Sequence, residues 1–147
     1  MFYEDIEMDY EIVPIVEGDD DYIDDKLVEY NLSKVPATQD ELFVSVSKKI
    51  VDAEGSTIAG CLAIMYCWNV MAIDTIWVDE RYRGQGLGSV LLANVEREAR
   101  EKGCGLVHLD TFDFQAKEFY EKNGYAVFGV LGDCPKGHLR YFMKKSL

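Results

Sequence analysis

The stretch Ile76-Trp77-Val78-Asp79-Glu80-Arg81-Tyr82-Arg83-Gly84-Gln85-Gly86-Leu87-Gly88-Ser89 has the residue types and spacing to hold an anion. Strand-forming residues run into three glycines at alternate positions, and helical periodicity follows. The first N–H groups of a helix have no intrahelical acceptor, and the helix dipole is positive at that end, so phosphate is favoured there. Glycine lets the backbone approach such a group closely, in conformations other residues resist. Arg81 and Arg83 add positive charge. A P-loop would carry lysine and then Ser/Thr after its last glycine, whereas Ser89-Val90 follows here. A dinucleotide fingerprint would read G-x-G-x-x-G at the start of a first βαβ unit. The spacing is instead G-x-G-x-G, and several strand-like segments precede it, so neither nucleotide pattern fits.

The helix that presents this loop is legible from Leu87, Leu91, Leu92, Val95 and Ala99, with Glu96 to Glu98 and Arg100 to Lys102 on the other faces and Gly103 closing it. Upstream, Leu42–Val46, Ile50–Val51, Ile58–Tyr66 and Val70–Val78, separated by short turns, predict an antiparallel meander. Downstream, Leu106–Leu109 reads as a buried strand and Gln115–Lys122 as a short helix. Tyr125–Leu131 and His138–Met143 read as strands around a loop at 132–137. At the start of the chain, Asp9–Val16 has edge-strand character with Pro14 arguing against a central place. Asp19-Asp20-Asp21 is set to cap a helix reaching about Leu32. The fold class is α/β in the α+β sense: a mixed, mostly antiparallel sheet flanked by helices, in one domain spanning 1–147.

Bulk properties narrow the function. The 147 residues are 48% hydrophobic and 12% aromatic, enough to bury a core. No apolar run nears the roughly 20 residues of a membrane helix, and the start, Met1–Asp5, is acidic where an export signal would be basic. A cytoplasmic location without membrane association is therefore expected. Net charge is −12, and residues 1–30 hold twelve acidic side chains against Lys26 alone. Nucleic acid is an unsuitable partner for such a chain, and a cationic small molecule a suitable one. Cys61, Cys67, Cys104 and Cys134 show neither disulfide nor zinc spacing, so no metal is expected and Cys61 and Cys67 read as buried, inert thiols.

Arg81-Tyr82-Arg83-Gly84-Gln85-Gly86 resembles the Arg/Gln-x-x-Gly-x-Gly/Ala pyrophosphate signature of the GNAT acetyltransferases. Asp113-Phe114-Gln115-Ala116-Lys117-Glu118-Phe119-Tyr120-Glu121-Lys122-Asn123-Gly124-Tyr125 resembles the family's second signature, Asn-x-x-Ala-x-x-Leu-Tyr-x-x-x-Gly-Phe. Order, separation and frame also match, firmly over about residues 40–147. Asp113 departs from the family's usual Asn, which contacts the cofactor, and Tyr125 replaces Phe.

The resemblance implies a sheet splayed around acetyl-CoA. Backbone groups of Ile76, Trp77 and Val78 would pair with the pantetheine arm like an added strand. Gly84, Gln85, Gly86, Leu87, Gly88 and Ser89, with Arg83 beside them, would hold the pyrophosphate. Tyr120 would protonate the departing thiolate, a task for which a phenol of pKa about 10 is suited. The implied activity is an N-acetyltransferase in which an amine, of a small molecule or of lysine, attacks the thioester directly. The base is open. Asp74, read as sharing a strand face with Ala72 and Ile76, is a base, an ammonium anchor or a structural acceptor. His138 could face the acceptor, and His108 and Asp110 are read as facing opposite sides of their strand. The sequence leaves the acyl chain and the oligomeric state open, a homodimer included. The competing reading is a non-catalytic acyl-CoA-binding module, for which Asp113 is the best support.

Overall fold

The computed structural model describes residues 9–147; the acidic start Met1–Asp5 lies outside the described residues. Within them the order is α1 (Asp19–Lys34), β1 (Phe43–Ser45), β2 (Lys48–Val51), β3 (Thr57–Tyr66), β4 (Val70–Val78), a short 3₁₀ turn (Glu80–Tyr82), α2 (Leu87–Glu101), β5 (Leu106–Phe112), α3 (Lys117–Lys122), β6 (Ala126–Gly132) and β7 (Leu139–Ser146). The chain divides into two compact units, one ending at Pro36 and one spanning Ala37–Leu147.

The first unit departs from the sequence reading in two ways. Asp9–Val16 forms no strand. The helix is capped not by an aspartate but by Gly18, at φ 91 and without a side-chain bond. Asp19 lies inside the first turn, where its carboxylate accepts the Val16 N–H at 2.8 Å. No residue of α1 is buried.

The second unit is a seven-stranded sheet in the order β1-β3-β4-β5-β7-β6, with β2 also on β3. All pairings are antiparallel except β4–β5, which α2 connects in parallel. That parallel ladder is short: Val70↔Leu106, Met71↔Val107 and Ala72↔His108. Beyond it β4 runs on to Val78 and β5 to Phe112 without pairing to each other, while β5 stays paired to β7 through Phe112↔Arg140. The sheet thus opens into a gap whose apex is the Ala72–His108 pair.

A bulge shapes one wall of the gap. Ala63 pairs with Ile73 but Leu62 pairs with Thr75, leaving Asp74 as the extra residue on β4. The extra residue reverses the alternation. Met71 and Ile73 face the core, and after the bulge so do Ile76 and Val78. Asp74 therefore does not share a face with both Ala72 and Ile76, because those two lie on opposite faces. Nor do His108 and Asp110 face opposite sides. Two residues apart in a regular strand, they lie together on the face away from the buried Val107, Leu109 and Thr111.

The core lies between the sheet and α2 and α3. Leu91, Leu92, Val95 and Ala99 of α2 pack with Ala59, Cys61, Ala63 and Met65 of β3, and Tyr120 and Tyr125 join the same cluster. Glu96, assigned by periodicity to the outer faces, is buried at 5% exposure. Its carboxylate accepts from Lys145 Nζ at 2.6 Å and from the Tyr125 hydroxyl at 3.0 Å. A buried carboxylate requires such partners, and here they tie α2 to the last strand. No helix among the described residues is long and apolar enough to cross a membrane.

Candidate active site

The end of β4 leads through Asp79 and the 3₁₀ turn to Gly84 and Gly86, both left-handed at φ 75 and φ 79. Gly86 caps α2, and the first helical bond is Val90 N–H to Gly86 O at 3.1 Å. The N–H groups of Leu87, Gly88 and Ser89 come before that bond and have no partner within the helix. The first turn holds no acidic residue. Arg83 folds back so that Nε donates to Val78 O at 3.0 Å, which keeps its guanidinium beside the loop. Arg81, read from sequence as a second cation of the site, is instead neutralised: its Nε lies 3.1 Å from Asp79 Oδ1, and this partner holds the Asp79 carboxyl below its usual range.

A cavity of about 540 Å³ opens here, between β4, α2 and α3. Of the residues predicted for the cofactor, Ile76, Val78, Arg83, Gly84, Gly86, Leu87, Gly88 and Ser89 line it. Trp77 and Gln85 do not; the bulge turns the Trp77 side chain to the other face of the sheet, 45% exposed. Tyr82, Ala116, Phe119 and Lys122 complete the wall. Of these four, Ala116 and Phe119 stand at defined positions of the second motif, the Ala and the Leu. Gly88 packs closely: a Cβ there would stand 3.1 Å from the Phe119 ring, which would have to shift to admit it. The Ser89 hydroxyl accepts from Asn123 Nδ2 at 3.2 Å, joining the α2 start to the α3 end.

Tyr120 lies on α3 with its ring against Phe119 and Tyr125, and is 6% exposed. Burial, and then the neighbouring Cys61 thiol and the Asp110 carboxylate, push its hydroxyl up to about 12. A phenol so shifted keeps its proton across the working pH range and is available as an acid. Asp74 is exposed on the opposite wall, with a 3.5 Å contact from Thr75 Oγ1. Its exposure removes the need for a buried partner.

Asp113 sits at the end of β5, where its two oxygens are used locally. One accepts the Leu139 N–H at 3.0 Å and the other lies 2.9 Å from His138 Nδ1. Its charge is spent on fixing the start of β7, and Asp113 does not line the cavity. Cys61 and Cys67 are buried, as the sequence suggested, and burial pushes the Cys61 thiol up to about 12.

The description of the acetyltransferase (GNAT) family matches residues 6–125. The chain belongs to this family. An acetyltransferase from Bacillus cereus ATCC 14579 shares the fold at a TM-score of 0.85 with 40% identity, covering 94% of this chain and 98% of that one. The blasticidin-S acetyltransferase of Streptomyces morookaense is 39% identical over 95 residues, which is 64% of this chain and 70% of that protein. A more distant fold relative from Bacillus anthracis str. Ames, at TM-score 0.62, 21% identity and covering 70% of this chain and 62% of that one, was solved in complex with acetyl coenzyme A. This GNAT protein is thus an acetyl-CoA-dependent N-acetyltransferase, and the splayed sheet that the resemblance implied is its architecture.

Proposed function

We propose that the enzyme acetylates a primary amine of a cationic small molecule, by direct attack of the amine on the thioester of acetyl-CoA. The observation that carries this reading is the gap between β4 and β5, which ends at the open N-terminus of α2. Ile76, Trp77 and Val78 pair with β3 along one edge only, and backbone groups on their other edge, toward the gap, would receive the pantetheine arm. The amides from Gly84 through Ser89, with Arg83, would take the pyrophosphate. Tyr120 would protonate the leaving thiolate. Asp74, on the rim, would attract the acceptor's ammonium or take its proton. The choice of a cationic acceptor is supported by the net charge of −12, which draws cations to the protein, and by the 39% identity to a blasticidin-S acetyltransferase.

The test is Tyr120→Phe. The ring remains packed while the proton is lost, so turnover should fall on the order of a hundredfold. The thermal stabilisation by acetyl-CoA should stay as in the native enzyme, several degrees at a hundred times the dissociation constant. Equal turnover by the two proteins would remove Tyr120 from the mechanism, and a missing stabilisation of the native enzyme would remove the cofactor site.

A further inference from the structure

His108 occupies the one position of β5 that is both paired to β4 and adjacent to the opening, since Ala72↔His108 is the last rung of the parallel ladder. The phosphate loop lies at the other end of the gap, after Val78. The stretch of β4 from Ile73 to Val78, unpaired to β5, would hold a cofactor arm running inward from that loop, with its reactive end toward this apex. The core face of the apex is filled by α2, α3 and their packing, including Tyr120. An acceptor has to reach the thioester from the opposite face, and that is the face on which the His108 side chain stands.

The imidazole is also oriented. Its Nε2 lies 2.7 Å from the Tyr66 hydroxyl, and the two rings meet edge-on with centroids 5.8 Å apart. Tyr66 comes from β3, so the contact reaches across β4 and holds the ring at the apex. Burial raises Tyr66 above the usual phenol value, so it stays a neutral hydroxyl, which accepts from a protonated Nε2 or donates to a bare one according to the tautomer. Nδ1 makes no hydrogen bond to a described residue. Charged neighbours surround the pair on one face: Lys144 is its cross-strand partner on β7, and Asp110, two residues along β5, is held by Arg140 at 2.9 Å. Asp74 is the titratable residue that β4 contributes to the rim of the gap.

Resting on the acetyl-transfer reading above, we propose that His108 Nδ1 takes the proton from the acceptor's ammonium group and that Tyr66 positions it by fixing the Nε2–H tautomer. The ammonium loses one proton to Nδ1, and the neutral amine forms the new C–N bond to the acetyl carbonyl carbon. The C–S bond breaks, the second amine proton goes to the departing sulfur by way of Tyr120, and the imidazolium returns its proton to water. The balance is one amide, one free thiol and one released proton.

The chain has two histidines, so nitrogen-15 imidazole spectra read the tautomer directly, with His108→Gln assigning the signal. The expected result at neutral pH is protonation of His108 on Nε2, lost to a tautomer mixture in Tyr66→Phe. A His108 protonated on Nδ1 would overturn the proposal whatever the acceptor. With blasticidin S and spermidine as probe amines, His108→Gln should lose about a hundredfold in turnover. Its log rate should climb with slope one toward the ammonium pKa of the probe, where the native rate levels off earlier. With hydroxylamine, which is already neutral at pH 8, the two proteins should turn over alike. A native-like rate and pH profile with either amine overturns the proposal. Loss of the acetyl-CoA thermal shift in the native enzyme, or absence of turnover with every probe, counts against the acetyl-transfer reading instead, and the tautomer then decides His108 alone.

Discussion

α1 and α2 begin in the same way and are put to opposite use. Each follows a glycine in the left-handed region, Gly18 at φ 91 and Gly86 at φ 79, and neither has a side-chain cap. The first turn of α1 holds Asp19, Asp20 and Asp21, so its positive dipole end is met by the chain's own carboxylates. The first turn of α2 holds none, and Arg83 stands beside it. Each missing carboxylate withholds about 0.3–1 kcal/mol of helix stabilisation. α2 does without them because Leu91, Leu92, Val95 and Ala99 bury it in the core, whereas α1 has no buried residue. A helix end can be left open for a ligand where tertiary packing, not local electrostatics, holds the helix.

The most direct way to break this contrast is to give α2 the start that α1 has. Ser89→Asp places a carboxylate among the free amides, where it would repel phosphate with an energy of a few kcal/mol at 4–6 Å and an effective dielectric near 20. Calorimetry should show acetyl-CoA affinity falling about a hundredfold, roughly 2.7 kcal/mol, while the unliganded protein keeps its melting temperature or gains slightly. Undiminished affinity would mean that the phosphates lie elsewhere. Arg83→Gln should have a smaller effect, about tenfold, and should flatten the salt dependence of binding, because it removes one charge from the edge of the site. An affinity that stays equally salt-sensitive would leave the amides to act without Arg83.

Much of this contrast was legible in the residues. The apolar stripe from Leu87 to Ala99 and the glycines before it are local features, and they survive folding nearly as read. The β4 bulge was not legible, because a bulge exists only as a mismatch of register with Leu62 and Ala63 on another strand. Asp74 was consequently read as sharing the face of Ile76. Glu96 looked like a solvent-facing charge until Lys145, 49 positions away, supplied its partner. Asp113 seemed out of place for the same reason: its use depends on His138 and Leu139, which only the pairing of β5 with β7 brings near. Tyr120 is assigned through its motif, while His108 and Tyr66 carry no motif and become a pair only across three strands.

Matched substitutions at the two caps sharpen the comparison further. A Cβ at Gly18 or at Gly86 meets nothing within 4 Å, so steric conflict is absent at both, and both have positive φ. Alanine should therefore cost each helix about the same, on the order of 1–2 kcal/mol from the left-handed backbone alone. Acetyl-CoA binding should weaken in Gly86→Ala and stay constant in Gly18→Ala, as titration of each variant would show. Equal loss of binding in both would mean that the two ends are not functionally distinct.

The smallest effect is expected from Asp20→Asn, and it tests the other side of the contrast. Asp20 Oδ1 accepts the Asp21 N–H at 3.0 Å, a bond that an Asn carbonyl can keep, so the change removes charge rather than the hydrogen bond. What is lost is the attraction between a carboxylate and the dipole, about 0.5 kcal/mol for an exposed first-turn position. Amide hydrogen exchange in α1 should quicken by about twofold at low ionic strength, and the difference should shrink in high salt, where the native carboxylate is screened. Exchange in α2 and the acetyl-CoA affinity should not move. A loss that persisted in salt would assign the role of Asp20 to hydrogen bonding, and the two helix starts would then differ in geometry rather than in charge.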